Sequence, residues 1–223
     1  MSNLQVIITG STGMVGKGVL FECLDSPNVE SVLLVNRNTI GISHPKLKEV
    51  MLWDFFHPEA IRENLKGYNA CFYCVGVTSI GMKEGDYLHI IYDMTMVFAK
   101  EVLSLNPGMT FCFVSGAGTD STEQGRSMWA RVKGKTENEL LSLGFKHAYM
   151  FRPGYIQPKR GIKSKTGWYN LFYSMLGSFY FMLKRIPKYV TDTVIMGRAM
   201  INVALNGYSK SILESIDINK AGK

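Results

Sequence analysis

Short apolar runs alternate with segments of helical period along the whole of this chain. The runs fall at residues 4–9, 31–35, 49–53, 70–75, 110–115 and 148–151. Most are continuously apolar instead of alternating, which is the pattern of strands covered on both faces and therefore of a parallel sheet. Between them, Leu88, Ile91, Thr95, Phe98, Val102 and Leu105 recur every three or four residues and predict one amphipathic helix. The sequence Leu105-Asn106-Pro107-Gly108 stops it. Residues 15–24 predict another helix directly after the first strand. No internal repeat interrupts this rhythm, so the expectation is one α/β domain built on a doubly wound parallel sheet.

The C-terminal third has a different texture. Residues 161–166 are basic and loop-like, and an aromatic run follows from 168 to 183. Broken by Asn170, Ser174, Gly177 and Ser178, the run is shorter and more polar than the roughly 20 apolar residues that span a bilayer. It predicts a helix packed on the edge of the sheet. Thr191 is the expected N-cap of a final helix running to about residue 205. Residues 1–150 thus form a core and 151–223 a small C-terminal lobe.

Composition adds two constraints. Of the 223 residues, 46% are hydrophobic and 12% aromatic, ample for a core and incompatible with a disordered, collagenous or coiled-coil chain. The net charge of +7 is uneven: residues 140–191 contain no acid but carry Lys146, Arg152, Lys159, Arg160, Lys163, Lys165, Lys184, Arg185 and Lys188. Such a stretch suits an anionic ligand or an anionic membrane surface, or is a solvated basic face. Nucleic acid is not expected, because no helix-turn-helix, zinc finger or aromatic-basic platform accompanies the charge. Peripheral membrane docking of the aromatic run and protein contact through it both stay open, as do monomer and homodimer. Cys23, Cys71, Cys74 and Cys112 all lie in apolar runs, and the opening residues show no basic n-region or apolar h-region. A reduced, cytoplasmic protein is expected.

The strongest chemical signal is Gly10-Ser11-Thr12-Gly13-Met14-Val15-Gly16, set between a strand and a helix. Glycines there let the backbone reverse and approach a diphosphate, while the helix start offers free amides and a positive dipole. The spacing is GxxGxxG instead of GxGxxG, yet its place in a βαβ chain points to dinucleotide binding by the 1–150 core. After the second strand stands Val35-Asn36-Arg37-Asn38, with no carboxylate for a ribose 2′-hydroxyl. The planar fork of Arg37 suits a 2′-phosphate, which favours NADP over NAD unless Arg37 is simply a surface arginine.

With these motifs the chain resembles the short-chain dehydrogenase/reductase superfamily, in its extended and atypical branches. The segments Cys74-Val75-Gly76, Phe113-Val114-Ser115-Gly116-Ala117-Gly118, Arg131-Val132-Lys133-Gly134-Lys135 and Phe151-Arg152-Pro153-Gly154 match, in order and spacing, the branch's fourth-strand end, serine strand, lysine helix and Arg-Pro-Gly turn. The likeness is greatest to the atypical Tat-interacting-protein type, with NmrA-like proteins as broader kin. It implies a Rossmann fold and an oxidoreductase acting on a small carbonyl or alcohol. It further implies that Asp54, ending the third strand, contacts adenine and that Cys74, Val75 and Gly76 line the cofactor, with Arg152, Pro153 and Gly154 nearby.

The resemblance breaks at one position. Family chemistry uses Tyr-x-x-x-Lys, in which a tyrosine hydroxyl gives a proton to the carbonyl oxygen and the lysine lowers its pKa. Lys133 matches the lysine, but four residues earlier stands Trp129, whose indole N–H donates a hydrogen bond without reversible proton transfer near neutral pH. Ser115 matches the serine by strand position, and Tyr155 is the nearest substitute hydroxyl. Lys133 retains the role of binding the nicotinamide ribose. Either another hydroxyl substitutes, or the chain binds NADP(H) as a non-catalytic sensing module.

Other chemistries are set aside. Cys71-Phe72-Tyr73-Cys74 has redox spacing but lies on a predicted strand, where residues three apart face opposite ways. His44, His57, His89 and His147 have no partner at ligand spacing, so no metal is expected, and no G-x-S-x-G elbow is present.

Overall fold

The computed structural model describes residues 3–162 and 189–223. Its centre is a seven-stranded sheet. The strands, in chain order, are β1 (Leu4–Thr9), β2 (Val29–Asn36), β3 (Leu47–Met51), β4 (Ala70–Tyr73), β5 (Thr110–Val114), β6 (His147–Arg152) and, near the C-terminus, β9 (Ile212–Glu214). They lie side by side as β3-β2-β1-β4-β5-β6-β9, every pair parallel. A second, two-stranded parallel sheet joins β7 (Tyr155–Gln157) to β8 (Val190–Asp192).

Parallel pairing requires crossovers, and here helices supply them on both faces. Helices α1 (Met14–Asp25) and α5 (Thr193–Asn206) cover one face. A short α2 (Glu84–Leu88), one π turn (His89–Asp93), α3 (Met94–Leu105) and α4 (Met128–Ser142) cover the other. The alternation of β1 explains the two cores: Val6 and Ile8 pack with Val19, Leu20, Met196 and Met200, whereas Ile7 packs with Leu33, Phe98 and Val102. At about 25 cal/mol per Å² these fully buried chains dominate the stability. The predicted doubly wound α/β architecture is the one found.

Several boundaries differ from expectation. The third strand is Leu47–Met51 instead of 49–53, because the edge strand is half-buried and ends before Leu52 turns inward. Asp54 therefore stands in the turn beyond it, its carboxylate accepting the Phe56 amide at 2.9 Å. Thr191 lies within β8; Asp192 caps α5, accepting the Ile195 amide at 2.8 Å. That helix is followed by another, α6 (Ser215–Ala221). Among the described residues beyond 151, β9 returns to pair with β6 and α5 packs on α1. The aromatic run 168–183 and Lys163, Lys165, Lys184, Arg185 and Lys188 fall outside the described residues.

Candidate functional site

From β1, the chain passes to β2 toward one edge and later to β4 toward the other. In open parallel sheets the strand ends at such a reversal frame a crevice, and a cavity of about 540 Å³ lies there. Its floor is the glycine turn. Gly10 has φ +68°, and a Cβ on it would stand 2.6 Å from the Cys74 carbonyl oxygen. A Cβ on Gly16 would stand 2.4 Å from the Gly10 carbonyl oxygen, so helix α1 begins directly against the turn. The turn is closed by the Gly13 amide, which donates to the Gly10 carbonyl at 2.9 Å.

Gly13 occupies the N-cap of α1 without any side-chain cap, and no acid stands in the first turn. A helix start leaves amides unsatisfied and carries about half a positive charge. The arrangement fits an anion such as a diphosphate, and glycine is the only residue that fills neither Gly10 nor Gly16 with a methyl group.

The structure gathers most of the expected binding residues around this cavity. Gly10, Thr12, Gly13 and Met14 line one side, Asn36 and Arg37 the end of β2, Asp54 the turn after β3, and Cys74, Val75 and Gly76 the exit of β4. Ser11, Val15 and Gly16 support the turn from beneath instead. Ser11 and Asn36 are buried and joined side chain to side chain, with the Asn36 amide nitrogen donating to Ser11 Oγ at 2.8 Å. Arg37 is exposed, and among the described residues no hydrogen bond or ion pair engages its guanidinium.

Sequence reading missed Trp53, Ile90 and Met94, which also line the cavity. Trp53 is 74% exposed, unusual for so large an aromatic. Its signal lay in the sequence as a tryptophan beside Asp54, just past a strand. Burial pushes the Cys74 thiol up to about 12 and Cys71 well above its ordinary range, which disfavours the thiolate that redox chemistry needs. Among the described residues no three His, Cys, Asp or Glu converge as a metal site would require.

The residues expected at the reacting end form a second group one strand further along, because Tyr73 pairs with Phe113 in the sheet. The segment after β5 is tied to the turn after β6: the Ser115 amide donates to Phe151 at 2.8 Å and the Ala117 amide to Pro153 at 2.9 Å. Ser115 does not offer a free hydroxyl. It is buried against the Glu137 carboxylate, with the Phe151 carbonyl 3.1 Å away. Arg152, expected near the cofactor, is also turned inward. Its Nε meets the two Glu137 oxygens at 3.1 and 3.0 Å, and its Nη2 donates to Ser121 at 2.6 Å. Glu137 is fully buried, so this charge survives only because it is paired and hydrogen-bonded.

Lys133, one helical turn before Glu137, donates from Nζ to the Ser115 carbonyl. Burial lowers its pKa to about 8, with the Glu137 carboxylate pulling the other way. The Trp129 indole lies over the glycines after β5, since a Cβ on Gly118 would stand 3.6 Å from it. The Tyr155 hydroxyl donates to Gln157 at 2.8 Å. Gly154 sits where a Cβ would stand 2.4 Å from the Tyr189 carbonyl oxygen, so that turn is a packing feature. Of this group, Lys133 holds the proton that can be exchanged near neutral pH.

No protein-family model matches the chain. It is 29% identical over 214 residues to a protein of Debaryomyces hansenii named FMP52, mitochondrial, spanning 95% of this chain and 90% of the relative. It is 24% identical over 228 residues to rat HTATIP2, spanning 100% of this chain and 91% of the relative. In fold it is similar to the Bordetella bronchiseptica enzyme WbmF solved in complex with NAD+, with a TM-score of 0.68 at 14% identity over 98% of this chain and 77% of that one. A short-chain dehydrogenase/reductase of Saccharomyces cerevisiae gives a TM-score of 0.64 at 13% identity over 96% and 94%. The resemblance thus holds in sequence to HTATIP2, which fits the expected Tat-interacting-protein branch, and in fold to solved short-chain dehydrogenase/reductase structures. The expected cytoplasmic location is overturned, because the relatives from D. hansenii, Scheffersomyces stipitis and Emericella nidulans are named as mitochondrial. Free cysteines do not separate cytosol from mitochondrion.

Proposed function

We propose that this chain, a Rossmann protein similar to the short-chain dehydrogenases/reductases, is an NADP(H)-dependent oxidoreductase of the mitochondrion acting on a small carbonyl or alcohol. The observation that carries the reading is the uncapped, acid-free start of α1, which opens into a cavity of about 540 Å³ at the reversal of strand order. Backbone at Gly10, Thr12 and Gly13 meets the diphosphate, Arg37 the 2′-phosphate and Asp54 the adenine. Cys74, Val75 and Gly76 flank the middle of the cofactor, and Lys133 reaches the nicotinamide ribose. The bound nicotinamide supplies or accepts hydride. Trp129 walls the pocket, and the Lys133 ammonium, not an aromatic hydroxyl, holds the proton that can pass to a carbonyl oxygen.

A second reading rests on its own observation: Ser115 is held by Glu137, while Trp129 stands where the resemblance expects a tyrosine. In that reading the chain senses NADP(H) and signals through its basic C-terminal stretch to a protein or membrane surface. One experiment separates the two. Calorimetry first establishes NADPH binding, and a carbonyl panel then follows NADPH absorbance. Turnover that Lys133→Ala lowers supports the oxidoreductase. Tight binding with no turnover on any carbonyl, together with altered liposome or partner affinity, selects the sensor.

A further inference from the structure

The loop that presents Arg37 is held by a single carboxylate from a neighbouring strand. Glu49, half-buried on β3, accepts hydrogen bonds from both sides of that arginine: from the Asn36 side-chain nitrogen at 3.1 Å, the Thr39 hydroxyl at 2.6 Å and the Ile40 amide at 3.0 Å. Asn36 is in turn locked to Ser11 inside the glycine turn, Ser11 Oγ standing 3.0 Å from Asn36 Oδ1. A continuous polar chain thus runs from the diphosphate turn through Asn36 to Glu49 and on to residues 39 and 40. Arg37 is the position between its two anchored ends whose guanidinium stays free. Hydrogen bonds to a carboxylate are about twice as strong as neutral ones, so three of them convert an exposed turn into a preset one. Presetting matters because a long arginine otherwise loses rotamer and loop freedom on binding.

We propose that Glu49 is a positioning residue for nucleotide choice, holding residues 36–40 so that Arg37 meets a 2′-phosphate. This rests on the dinucleotide reading of the cavity. It also accounts for the place where a carboxylate was absent from the end of β2: a carboxylate does approach from β3, but three of its roughly four acceptor positions are taken by the loop and it does not line the cavity.

The test compares adenosine 2′,5′-bisphosphate with adenosine 5′-monophosphate, which differ only in the 2′-phosphate, by calorimetry on the full chain. Glu49→Gln should weaken the bisphosphate about tenfold, the scale of one charge-assisted hydrogen bond, and the monophosphate less than twofold. In an Arg37→Ala background Glu49→Gln should cost nothing more, because its effect passes through that arginine. Thr39→Val, which removes one bond at an exposed turn, should give the same selectivity at smaller size and serves if Glu49→Gln does not fold. Equal losses for both nucleotides, or a full loss from Glu49→Gln persisting without Arg37, would overturn the proposal while leaving the dinucleotide site standing. Failure of the unaltered chain to bind either nucleotide would overturn the underlying reading itself.

Discussion

The Ser115 hydroxyl meets the Glu137 carboxylate inside the protein, and the same carboxylate holds the Arg152 guanidinium. Phe111, Phe113 and Ser115 alternate along one face of β5, the face that α4 covers, so the serine is drawn under the helix instead of toward the cavity. What looks like a catalytic serine by position here hydrogen-bonds to the carboxylate of a buried ion pair. Its role is to seat α4, and with it Lys133 and Trp129, on the ends of β5 and β6.

Removing Glu137 should therefore damage the fold more than the nucleotide site. Glu137→Gln leaves a guanidinium that is only 11% exposed with the Glu214 carboxylate, 3.6 Å from its Nη1, as the remaining counter-charge, a loss of about 3 kcal/mol, the low end of the usual cost of breaking a buried pair. Replacing both partners by apolar residues, Glu137→Leu with Arg152→Met, should recover much of that. Urea unfolding of the single and double variants measures it, and a double variant no more stable than Glu137→Gln would contradict the account.

The glycine turn was legible because everything it needs is local: a β-rich run, three glycines and a helical pattern within the first 25 residues. The stripe from Leu88 to Leu105 was legible for the same reason, although a π turn at His89–Asp93 divides it. Ile212–Glu214 was not, because three residues carry no periodicity and the strand exists only through its pairing with β6. The inward direction of Ser115 and Arg152 depends on a partner at Glu137, distant in sequence from Ser115. A hint was present, since Glu137 shares the helical face of Ala130 and Gly134, both buried. Glu49 gave no such hint, because its partners at Asn36 and Thr39 are brought to it only by the parallel register of β2 and β3.

Lys133 should make stability depend on pH in a particular window. Its folded pKa of about 8 lies below the ordinary lysine value of 10.5, so the folded state sheds this proton first. Between about pH 8 and 10.5 the unfolded chain binds the extra proton, and stability contributed by this group rises with pH; below pH 8 the cost of charging the buried amine is fully present. Lys133→Met removes that dependence. The stability of the unaltered chain relative to that variant should rise between about pH 8 and 10.5, and a difference constant from about pH 7 to 10.5 would show that the amine is not perturbed.

Trp129→Tyr restores the hydroxyl that the resemblance expects, one helical turn from Lys133. A Cβ added to Gly116 or Gly118 would stand 3.6 to 4.0 Å from the indole, so these glycines leave its face uncrowded and the smaller phenol enters without a clash. The lysine would lower the phenol pKa and turn it into a proton donor. NADPH-dependent carbonyl turnover should rise by about tenfold or more, within the range that a positioned general acid contributes. No turnover by either the unaltered chain or the variant, with unchanged NADPH affinity, would mean that hydride never reaches a carbonyl in this pocket, which favours the sensing role.

Gly13→Asp separates folding from binding. Gly13 has φ −85° and ψ 167°, an extended conformation open to any residue, and a Cβ there meets only the Gly10 carbonyl oxygen at 3.3 Å. Aspartate is a favoured N-cap, and α1 has no side-chain cap of its own. The substitution should hold or raise the melting temperature while setting a carboxylate where the diphosphate must lie. NADPH affinity should fall at least about a hundredfold, the scale of a like charge placed against a bound anion in a partly desolvated site. Loss of binding together with loss of stability would show only a damaged turn. Retained binding would show that the start of α1 is not where the nucleotide's charge is held.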